Sequence, residues 1–275
     1  MCKTSMTGLI ADLPSALGHS GDIRNRLEGK RAAVFLDYDG TLTPIVARPE
    51  LAIMTPEMRE TVRELASVCV TAIVSGRGLA DVAALVKLEE LIYSGNHGFE
   101  ISTPGTSSVH NEKGKPFMEA VAAISRAIEE RIADIDGSIV ENKTYSLSVH
   151  YRLVSPDRVP EIERIVDTAL TDYINLHKRH GKKVFEIRPK IDWDKGKAVL
   201  LLLQTLHLDG DDVVPIYVGD DITDEDAFRA LKGRGIGVLV GTEARETAAN
   251  YTLRDTDETQ QFLHILTDLT RGSDL

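Results

Sequence analysis

The stretch from Phe35 to Val46, FLDYDGTLTPIV, decides the predicted fold. Its first residues close the apolar run Ala32 to Leu36, which is typical of a buried central strand in a parallel sheet. Two carboxylates, Asp37 and Asp39, follow at once. Because open α/β sheets bind ligands beyond the carboxyl ends of their strands, we expect both carboxylates at a functional site. Side chains two residues apart project towards the same side of a strand, so the two can serve one site.

The acidic loop also predicts a bound cation. Two carboxylates this close repel each other unless a cation or a shared proton lies between them. A hard ion with oxygen ligands, such as Mg²⁺, is the expected partner. Gly40 allows the backbone to turn, and Thr41 adds a hydroxyl to the loop. Taken alone, these residues also fit an ordinary polar turn, because Asp and Gly are common in turns.

The composition excludes several classes of protein. The chain has 275 residues, of which 42% are hydrophobic, and can therefore bury a substantial core. A net charge of -11 and the lack of any basic block argue against a nucleic-acid or membrane-surface partner. Cys2 and Cys69 lie far apart, as in a reduced intracellular protein. No run approaches the roughly 20 apolar residues of a membrane span, and the N-terminus lacks the apolar length of a secretory signal. We expect a soluble, cytoplasmic protein.

Polar groups also follow a second predicted strand, Val68 to Val74. The next residues, Ser75 to Arg77, offer a hydroxyl, a glycine and a cation just before a helix predicted to begin at Leu79. This arrangement suits an anion, although an ordinary strand-to-helix turn is the alternative. A later loop holds Asn96 and His97 between two glycines, and it fits either a ligand-binding loop or a surface turn.

A second acidic segment lies near the end of the chain. The buried-strand pattern Val213 to Val218 leads into Gly219 and then Asp220 to Asp226, where five of seven residues are acidic. Such a cluster would be strongly self-repelling without a cation. Before it, Lys195 opens an apolar helix, where its charge opposes the helix dipole, so a purely surface role is unfavourable.

Between these acidic segments the sequence predicts an inserted domain. The composition shifts to Pro, Gly, Ser and Asn over residues 103–115. Two amphipathic helices are predicted, from Phe117 to Ile135 and from Arg158 to His177. Between them, Ile139 to Leu153 contains a period-two strand, and Lys183 to Pro189 predicts another. The pattern indicates a small sheet with two helices on its apolar face.

The other face of this small sheet is rich in hydrogen-bonding groups. Its members are Glu141, Lys143, His150, Arg152, Glu186 and Arg188. A solvated, salt-bridged face is the ordinary interpretation of such residues. Because the domain is inserted between two halves of another, we favour a substrate lid for a polyhydroxylated ligand. The predicted organisation is an N-terminal segment at 1–30, a core at 31–109 and 190–275, and an inserted cap at 110–189.

Four separated elements together resemble the haloacid dehalogenase superfamily of phosphotransferases. They are, in order, Asp37-x-Asp39-x-Thr41, Ser75-Gly76-Arg77, the helix-opening Lys195, and Gly219-Asp220-Asp221-x-x-Asp224. Longer strings are similar, more narrowly, to the trehalose-6-phosphate phosphatases over about residues 31 to 253: LDYDGTLTPI, VSGR, GNHGFE, ENKTYSLSVHYR, EIRPKIDWDKGKA and VGDDITDEDAF. The resemblance implies an α/β fold, with a Rossmann-like parallel sheet covered by helices on both faces and a small inserted α+β cap. No synthase-like domain accompanies these strings, so we expect a free-standing phosphatase.

The resemblance also implies a chemistry and a set of residues for it. The expected activity is Mg²⁺-dependent hydrolysis of a small-molecule sugar phosphate, trehalose 6-phosphate, to trehalose and phosphate, in trehalose biosynthesis. Asp37 would be the nucleophile, forming an aspartyl-phosphate, and Asp39 the general acid and base. Lys195 would hold the phosphate, with Lys197 as the alternative. The implied metal ligands are Asp37, Asp39 through its backbone carbonyl, Asp220, Asp221 and Asp224. The implied substrate-binding residues are Thr41, Ser75, Gly76, Arg77, Asn96, His97, Glu141, Lys143, His150, Arg152, Glu186 and Arg188.

Two other functions stay open on the sequence alone. A capped phosphatase for sucrose phosphate or a hexose phosphate would share the acidic core and differ in its cap residues. A non-catalytic sensor would bind a sugar phosphate without turnover. Such a sensor has no need of Asp39 as an acid and base, so the complete set of acids favours an enzyme.

Overall fold

A computed structural model of the chain describes residues 8, 9, 13–105, 109, 110 and 113–272. These residues form two compact units. The core unit comes from the chain before residue 109 and after residue 192, and the inserted unit from residues 109–192. Cys2 lies outside the described residues, and Cys69 is a half-buried free thiol. None of the helices in the described ranges is long and apolar enough to cross a membrane.

The elements follow the chain in this order. The strands are β1 Gly8–Leu9, β2 Arg31–Leu36, β3 Val70–Val74, β4 Ile92–Gly95, β5 Glu100–Ser102, β6 Val109–His110, β7 Ile139–Asn142, β8 Leu147–His150, β9 Leu176–Gly181, β10 Val184–Pro189, β11 Val213–Gly219, β12 Ile236–Val240, β13 Glu246–Thr247 and β14 Tyr251–Leu253. The α-helices are α1 Ser20–Leu27, α2 Pro56–Ala66, α3 Leu79–Val86, α4 Met118–Ile132, α5 Val159–Leu170, α6 Lys195–Thr205, α7 Asp224–Ala230 and α8 Thr256–Arg271. Short 3-10 helices cover Pro49–Leu51, Asn96–Gly98 and Lys115–Phe117.

The core unit is built on one sheet in the order β14-β12-β11-β2-β3-β4-β5. All neighbours in it are parallel except β5, which runs antiparallel to β4. Strand β2 lies between β11 and β3, so its carboxyl end opens at the middle of the sheet. Open α/β sheets place their ligand sites at such ends.

Helices cover both faces of this sheet, which explains why the inner strands read as continuous apolar runs. In β2, Val34 and Leu36 pack on one side with α1, α2, α3 and α8. On the other side, Phe35 packs with α6 and α7. The predicted fold class, a parallel α/β core with a small inserted α+β unit, is confirmed.

The inserted unit contains an antiparallel sheet in the order β7-β8-β10-β9. Helices α4 and α5 bury their apolar sides on one face of it. The core of this unit includes Val121 and Ile128 from α4, Ile162 from α5, and Val149 and Phe185 from the sheet. The predicted small sheet with two helices is therefore present.

Two predictions about the inserted unit are wrong in extent. The second helix was expected to run to His177, but α5 ends at Leu170, and β9 occupies Leu176–Gly181 as an edge strand. The period-two strand was expected to reach Leu153, but β8 ends at His150. The chain turns there because the Tyr151 N–H donates to Lys183 O and the Val154 N–H to Tyr151 O, which leaves Arg152 exposed.

Candidate active site

The carboxylate of Asp37 lies at the carboxyl end of β2, where it meets a lysine from the far end of the chain. Lys195 Nζ lies 2.9 Å from Asp37 Oδ1 and 2.7 Å from Asp224 Oδ1. The side chains are 7%, 3% and 0% exposed for Asp37, Lys195 and Asp224. The lysine is fixed there because Asp194 caps α6 by accepting from the Lys197 N–H, at 2.8 Å. The helix therefore begins with its ammonium group aimed at two carboxylates.

The Asp224 carboxylate accepts four hydrogen bonds. Its Oδ1 accepts from Lys195 and from the Tyr217 hydroxyl, each at 2.7 Å. Its Oδ2 accepts from the backbone N–H groups of Asp220 and Asp221, at 2.9 and 2.8 Å. A carboxylate offers about four acceptor positions, and all four are filled. Asp224 thus fixes the lysine and the acidic turn at the same time.

Three buried carboxylates, of Asp37, Asp220 and Asp224, each place an oxygen within 4.8 Å of the others. Burial raises the pKa of Asp37 well above its usual value of 3.8, Lys195 opposes the rise, and the charges of Asp224 and Asp220 add to it. The close approach depends on Gly40, whose φ is +82°, because a Cβ there would lie 2.1 Å from Asp220 Oδ2. A set of converging carboxylate oxygens is the donor set that a hard divalent cation takes.

Asp39 and Arg77 form the second charged group of the site. Arg77 Nε donates to Asp39 Oδ2 and its terminal Nη2 donates to Oδ1, both at 2.7 Å, in a two-pronged ion pair. Nη1 donates to Asp81 at 2.9 Å, and Nη2 also donates to Pro49 O at 2.8 Å. Burial lowers the pKa of Arg77, but the hydrogen bonds and charges of Asp39 and Asp81 more than offset it and raise the pKa above its usual value. Arg77 was predicted to bind the anionic substrate, yet these contacts use four of its five N–H groups.

Two predicted hydroxyl-bearing residues and a predicted glycine of the core unit follow strands β2 and β3. Ser75 is buried, and its hydroxyl accepts from the Arg77 N–H at 3.1 Å. Thr41 is also fully buried, and its hydroxyl has no hydrogen-bond partner among the described residues. A Cβ on Gly76 would lie 2.5 Å from the His97 imidazole, so this glycine allows the ring to close over the turn.

Asn96 and His97 are held by contacts within the core unit. Both have left-handed backbones, with φ of +51° and +54°. Asn96 Nδ2 donates to Glu100, which also accepts from the N–H of Leu79 at the start of α3. Trp193 Nε1 donates to His97 O at 3.0 Å. The loop between the two glycines is therefore a buried turn, and the structure places it next to Ser75 and Gly76.

The polar face of the inserted unit is present, with one exception. Strand register places Glu141, Ser148 and Glu186 side by side on the face away from α4 and α5. His150 lies 2.9 Å from Glu141, and the Lys143 ammonium lies 3.6 Å from it.

Arg188 pairs with Glu186 on the same face. Arg152 does not belong to this group, because it lies beyond the end of β8 and donates to Lys182 O at 2.7 Å. Its placement on the strand face is therefore wrong. Strand β9 instead adds two residues that the sequence prediction missed, His177 and Arg179, which pair in register with Arg188 and Glu186.

A family model described as Trehalose-phosphatase matches residues 35–257, which includes every core motif described above. The chain belongs to the trehalose-phosphatase family. The resemblance predicted from the sequence is confirmed. Among curated relatives of this trehalose-phosphatase, "Probable trehalose-phosphate phosphatase 3" of Oryza sativa subsp. japonica is 45% identical, and the match covers 95% of this chain and 76% of the relative. "Trehalose-phosphate phosphatase B" of Arabidopsis thaliana is 42% identical, over 96% and 74% of the two chains.

Solved structures show the same architecture for the trehalose-phosphatase. The C-terminal domain of the trehalose-6-phosphate phosphatase of C. albicans matches with a TM-score of 0.76 and 25% identity. The match covers 93% of this chain and 98% of that domain.

One residue of the trehalose-phosphatase site was missed by the sequence prediction. Tyr217 lies within β11, and its buried hydroxyl donates to Asp224. Burial raises the pKa of Tyr217 well above its usual value, and the charge of Asp224 raises it further. The available signal was a hydroxyl-bearing residue in an otherwise apolar strand, two positions before Gly219.

Proposed function

We propose that this trehalose-phosphatase releases phosphate from trehalose 6-phosphate through an aspartyl-phosphate on Asp37. One observation carries the proposal: a buried lysine, Lys195, contacts the Asp37 carboxylate at 2.9 Å inside a cluster of three carboxylates at the end of the central strand. A carboxylate nucleophile that must approach an anionic phosphate needs positive charge beside it, and this arrangement supplies it.

Lys195 supports the proposal as a permanent cation. Burial lowers the pKa of Lys195, but Asp224 and Asp37 raise it well above its usual value, so the ammonium stays charged at neutral pH. Its three N–H donors exceed the two carboxylate contacts described, which leaves one for a phosphate oxygen. Lys197 is the weaker candidate for this contact, because its ammonium lies 3.7 Å from Asp194 and is 36% exposed.

The donor set also fits Mg²⁺. We propose that Asp37, Asp220 and the backbone carbonyl of Asp39 would hold the ion, with Asp221 in support. Asp224, a predicted ligand, would act through its hydrogen bonds, because its acceptor positions are already filled. When bound, Mg²⁺ would neutralise charge on the phosphate and so allow a carboxylate to approach it.

The proposed reaction has two halves. In the first, a carboxylate oxygen of Asp37 attacks phosphorus, the bond between phosphorus and the sugar oxygen breaks, and Asp39 gives its proton to that oxygen. In the second, water attacks the aspartyl-phosphate, Asp39 takes the proton of the water, and inorganic phosphate leaves. The buried hydroxyls of Ser75 and Thr41, with the Gly76 turn, would hold phosphate oxygens.

We propose the polar face of the inserted unit as the surface that binds sugar hydroxyls. Five of the predicted residues share it: Glu141, Lys143, His150, Glu186 and Arg188. This face combines carboxylates, ammonium and guanidinium groups and an imidazole, which together provide both the acceptors and the donors that hydroxyl groups use.

The test is phosphate release from trehalose 6-phosphate, sucrose 6-phosphate, glucose 6-phosphate and p-nitrophenyl phosphate, each with Mg²⁺ and with a chelator. We expect selective, chelator-sensitive release from the trehalose ester, and its loss in Asp37→Asn. Glu141→Gln should raise KM for the trehalose ester and leave p-nitrophenyl phosphate unaffected, whereas Arg152→Ala is the matched control and should change neither. Preference for another ester would keep the mechanism and reject the substrate. Binding without release from any ester would favour the sensor, and activity retained in Asp37→Asn would reject the nucleophile.

A further inference from the structure

Arg77 is more tightly fixed than the carboxylate it holds. Its side chain is 6% exposed, and that of Asp39 is 37% exposed. Besides its two bonds to Asp39, the guanidinium is anchored by Asp81 and by Pro49 O, and it lies 5.5 Å from the ring centroid of Tyr38. Because these contacts fix the guanidinium, its Nε and Nη2 donors point in a fixed direction, and they set the position of the Asp39 carboxylate.

We propose that Arg77 is a positioning residue for Asp39 that serves the second half-reaction, hydrolysis of the aspartyl-phosphate. The inference rests on the proposed function and extends it by dividing the work of Asp39 between two steps. In the first step Asp39 gives its proton to the sugar oxygen and becomes a carboxylate. Arg77 then holds this carboxylate in place while it activates the water.

The geometry of the ion pair favours the second step. Both oxygens of Asp39 accept from Arg77 at 2.7 Å, which is the arrangement of a planar guanidinium with an ionised carboxylate. Two of about four acceptor positions are filled, so each oxygen keeps one position for a water O–H. A carboxylate that abstracts a proton from water must be held still with a free acceptor position, and this arrangement meets both conditions.

The proton balance is the same with this assignment. Breakage of the bond between phosphorus and the leaving oxygen moves one proton from the Asp39 carboxyl group to that oxygen. The attack of water then forms a new bond from water oxygen to phosphorus, breaks the bond from phosphorus to Asp37, and returns one proton to Asp39. Arg77 gains or loses no proton in either step.

A purely structural role for Arg77 makes a different prediction. The bond from Nη1 to Asp81 ties the residue to the first turn of α3, so Arg77 could serve only to hold the start of that helix. Asp81→Asn removes that ion pair and leaves the bonds to Asp39 in place. The Asp81 side chain is 50% exposed, so this change is a mild one.

The experiment uses p-nitrophenyl phosphate, whose leaving group needs no proton, in a rapid-mixing assay with Mg²⁺. In Arg77→Lys, which keeps the charge and loses the planar two-bond contact, we expect kcat to fall about 10- to 100-fold. A burst of one p-nitrophenolate per enzyme should precede the slow steady state, because the aspartyl-phosphate accumulates. With trehalose 6-phosphate, kcat of Arg77→Lys should fall to the same value, because both substrates share the slow step. The kcat of Asp81→Asn should stay within about twofold of that of the parent enzyme. Arg77→Gln, which keeps an amide donor, should show the same burst if lysine at this buried position unfolds the chain.

Two outcomes would overturn the inference. If Arg77→Lys slows trehalose 6-phosphate and leaves p-nitrophenyl phosphate unchanged with no burst, Arg77 acts on protonation of the leaving group instead. If Asp81→Asn and Arg77→Lys reduce kcat equally with no burst, the role is structural. The burst is measured with the aryl ester alone, so it does not depend on the sugar substrate. If the proposed substrate is wrong, the parent enzyme will not turn over trehalose 6-phosphate, and the burst with the aryl ester will be unaffected.

Discussion

Replacement of Asp224 by asparagine tests the central hydrogen-bond network of the site. The carboxylate accepts from two donors at each oxygen, whereas an amide accepts at only one end. If the amide oxygen faces Lys195 and Tyr217, the amide nitrogen faces the two backbone N–H groups. In the reverse orientation, the amide nitrogen faces the Lys195 ammonium and the Tyr217 hydroxyl. Either way, two buried donors lose their acceptor. At about 1 to 3 kcal/mol for each, the free energy of unfolding should fall by about 4 kcal/mol.

The assay is equilibrium unfolding in urea, followed by circular dichroism, in the presence of a chelator so that only the chain contributes. Asp226→Asn is the matched control, because Asp226 lies in the same helix and forms a surface ion pair with Arg229 at 3.1 Å. We expect it to cost less than about 1 kcal/mol. Tyr217→Phe removes one hydrogen bond and leaves no donor unsatisfied, so it should cost about 1 to 2 kcal/mol. A loss below about 1 kcal/mol for Asp224→Asn would refute the four-bond network.

Two further predictions concern the approach of charges at the acidic loops. Gly40→Ala should lower the Mg²⁺ affinity by more than about tenfold, measured by calorimetry, because the new Cβ would displace the Asp220 carboxylate. The control is Gly29→Ala, where φ is +67° and no atom lies within 4 Å of the new Cβ. This variant has a similar backbone strain without the clash, so it should bind Mg²⁺ normally. In metal-free protein, burial raises the pKa of Asp37 well above 3.8, so the folded state binds the Asp37 proton more tightly than the unfolded state does. The resulting stabilisation is complete below about pH 3.8 and is lost as the pH rises through the raised pKa. Asp37→Asn should flatten that part of the unfolding profile, and an unchanged slope would contradict the shift.

The sequence predicted the core unit well because its signals are local. Continuous apolar runs mark β2, β3 and β11, and each ends where polar residues begin. Parallel strands bring those ends to one edge of the sheet, so three acidic or hydroxyl-bearing loops could be assigned to one site without knowledge of any distance. The catalytic roles of the residues in those loops stay predictions.

Strand β9 was mistaken for the end of a helix because one of its inward positions is a lysine. Lys178 pairs in register with the buried Ile187, so its stem lies on the apolar face, with the ammonium 5.2 Å from the Phe185 ring centroid. The charged end then reaches Glu163 and Asp167 of α5, at 2.7 and 2.6 Å. A long side chain that buries its stem reads as polar in a sequence, which hides the period-two pattern.

The partners of Arg77 and Tyr217 were beyond prediction for another reason. Arg77 pairs with a residue 38 positions earlier, and its sequence neighbours, a serine and a glycine, favour an anion site equally well. Tyr217 lies in an apolar strand, where burial alone explains an aromatic residue. Such contacts depend on side-chain directions across the sheet, which propensity and periodicity do not describe.

The order of strands in the core sheet has a consequence for synthesis of the chain. The neighbour of β2 on one side is β11, which leaves the ribosome only after the whole inserted unit has been made. At ~5–20 residues per second, the apolar edge of β2 stays unpaired for about 10 to 40 s, long enough for the contiguous inserted unit to fold first. During that interval the nascent chain carries an open strand edge of the kind that recruits other chains. Lys195 and the acidic turn after β11 follow the inserted unit in the chain, so Asp37 cannot meet either of them until that whole unit has been made.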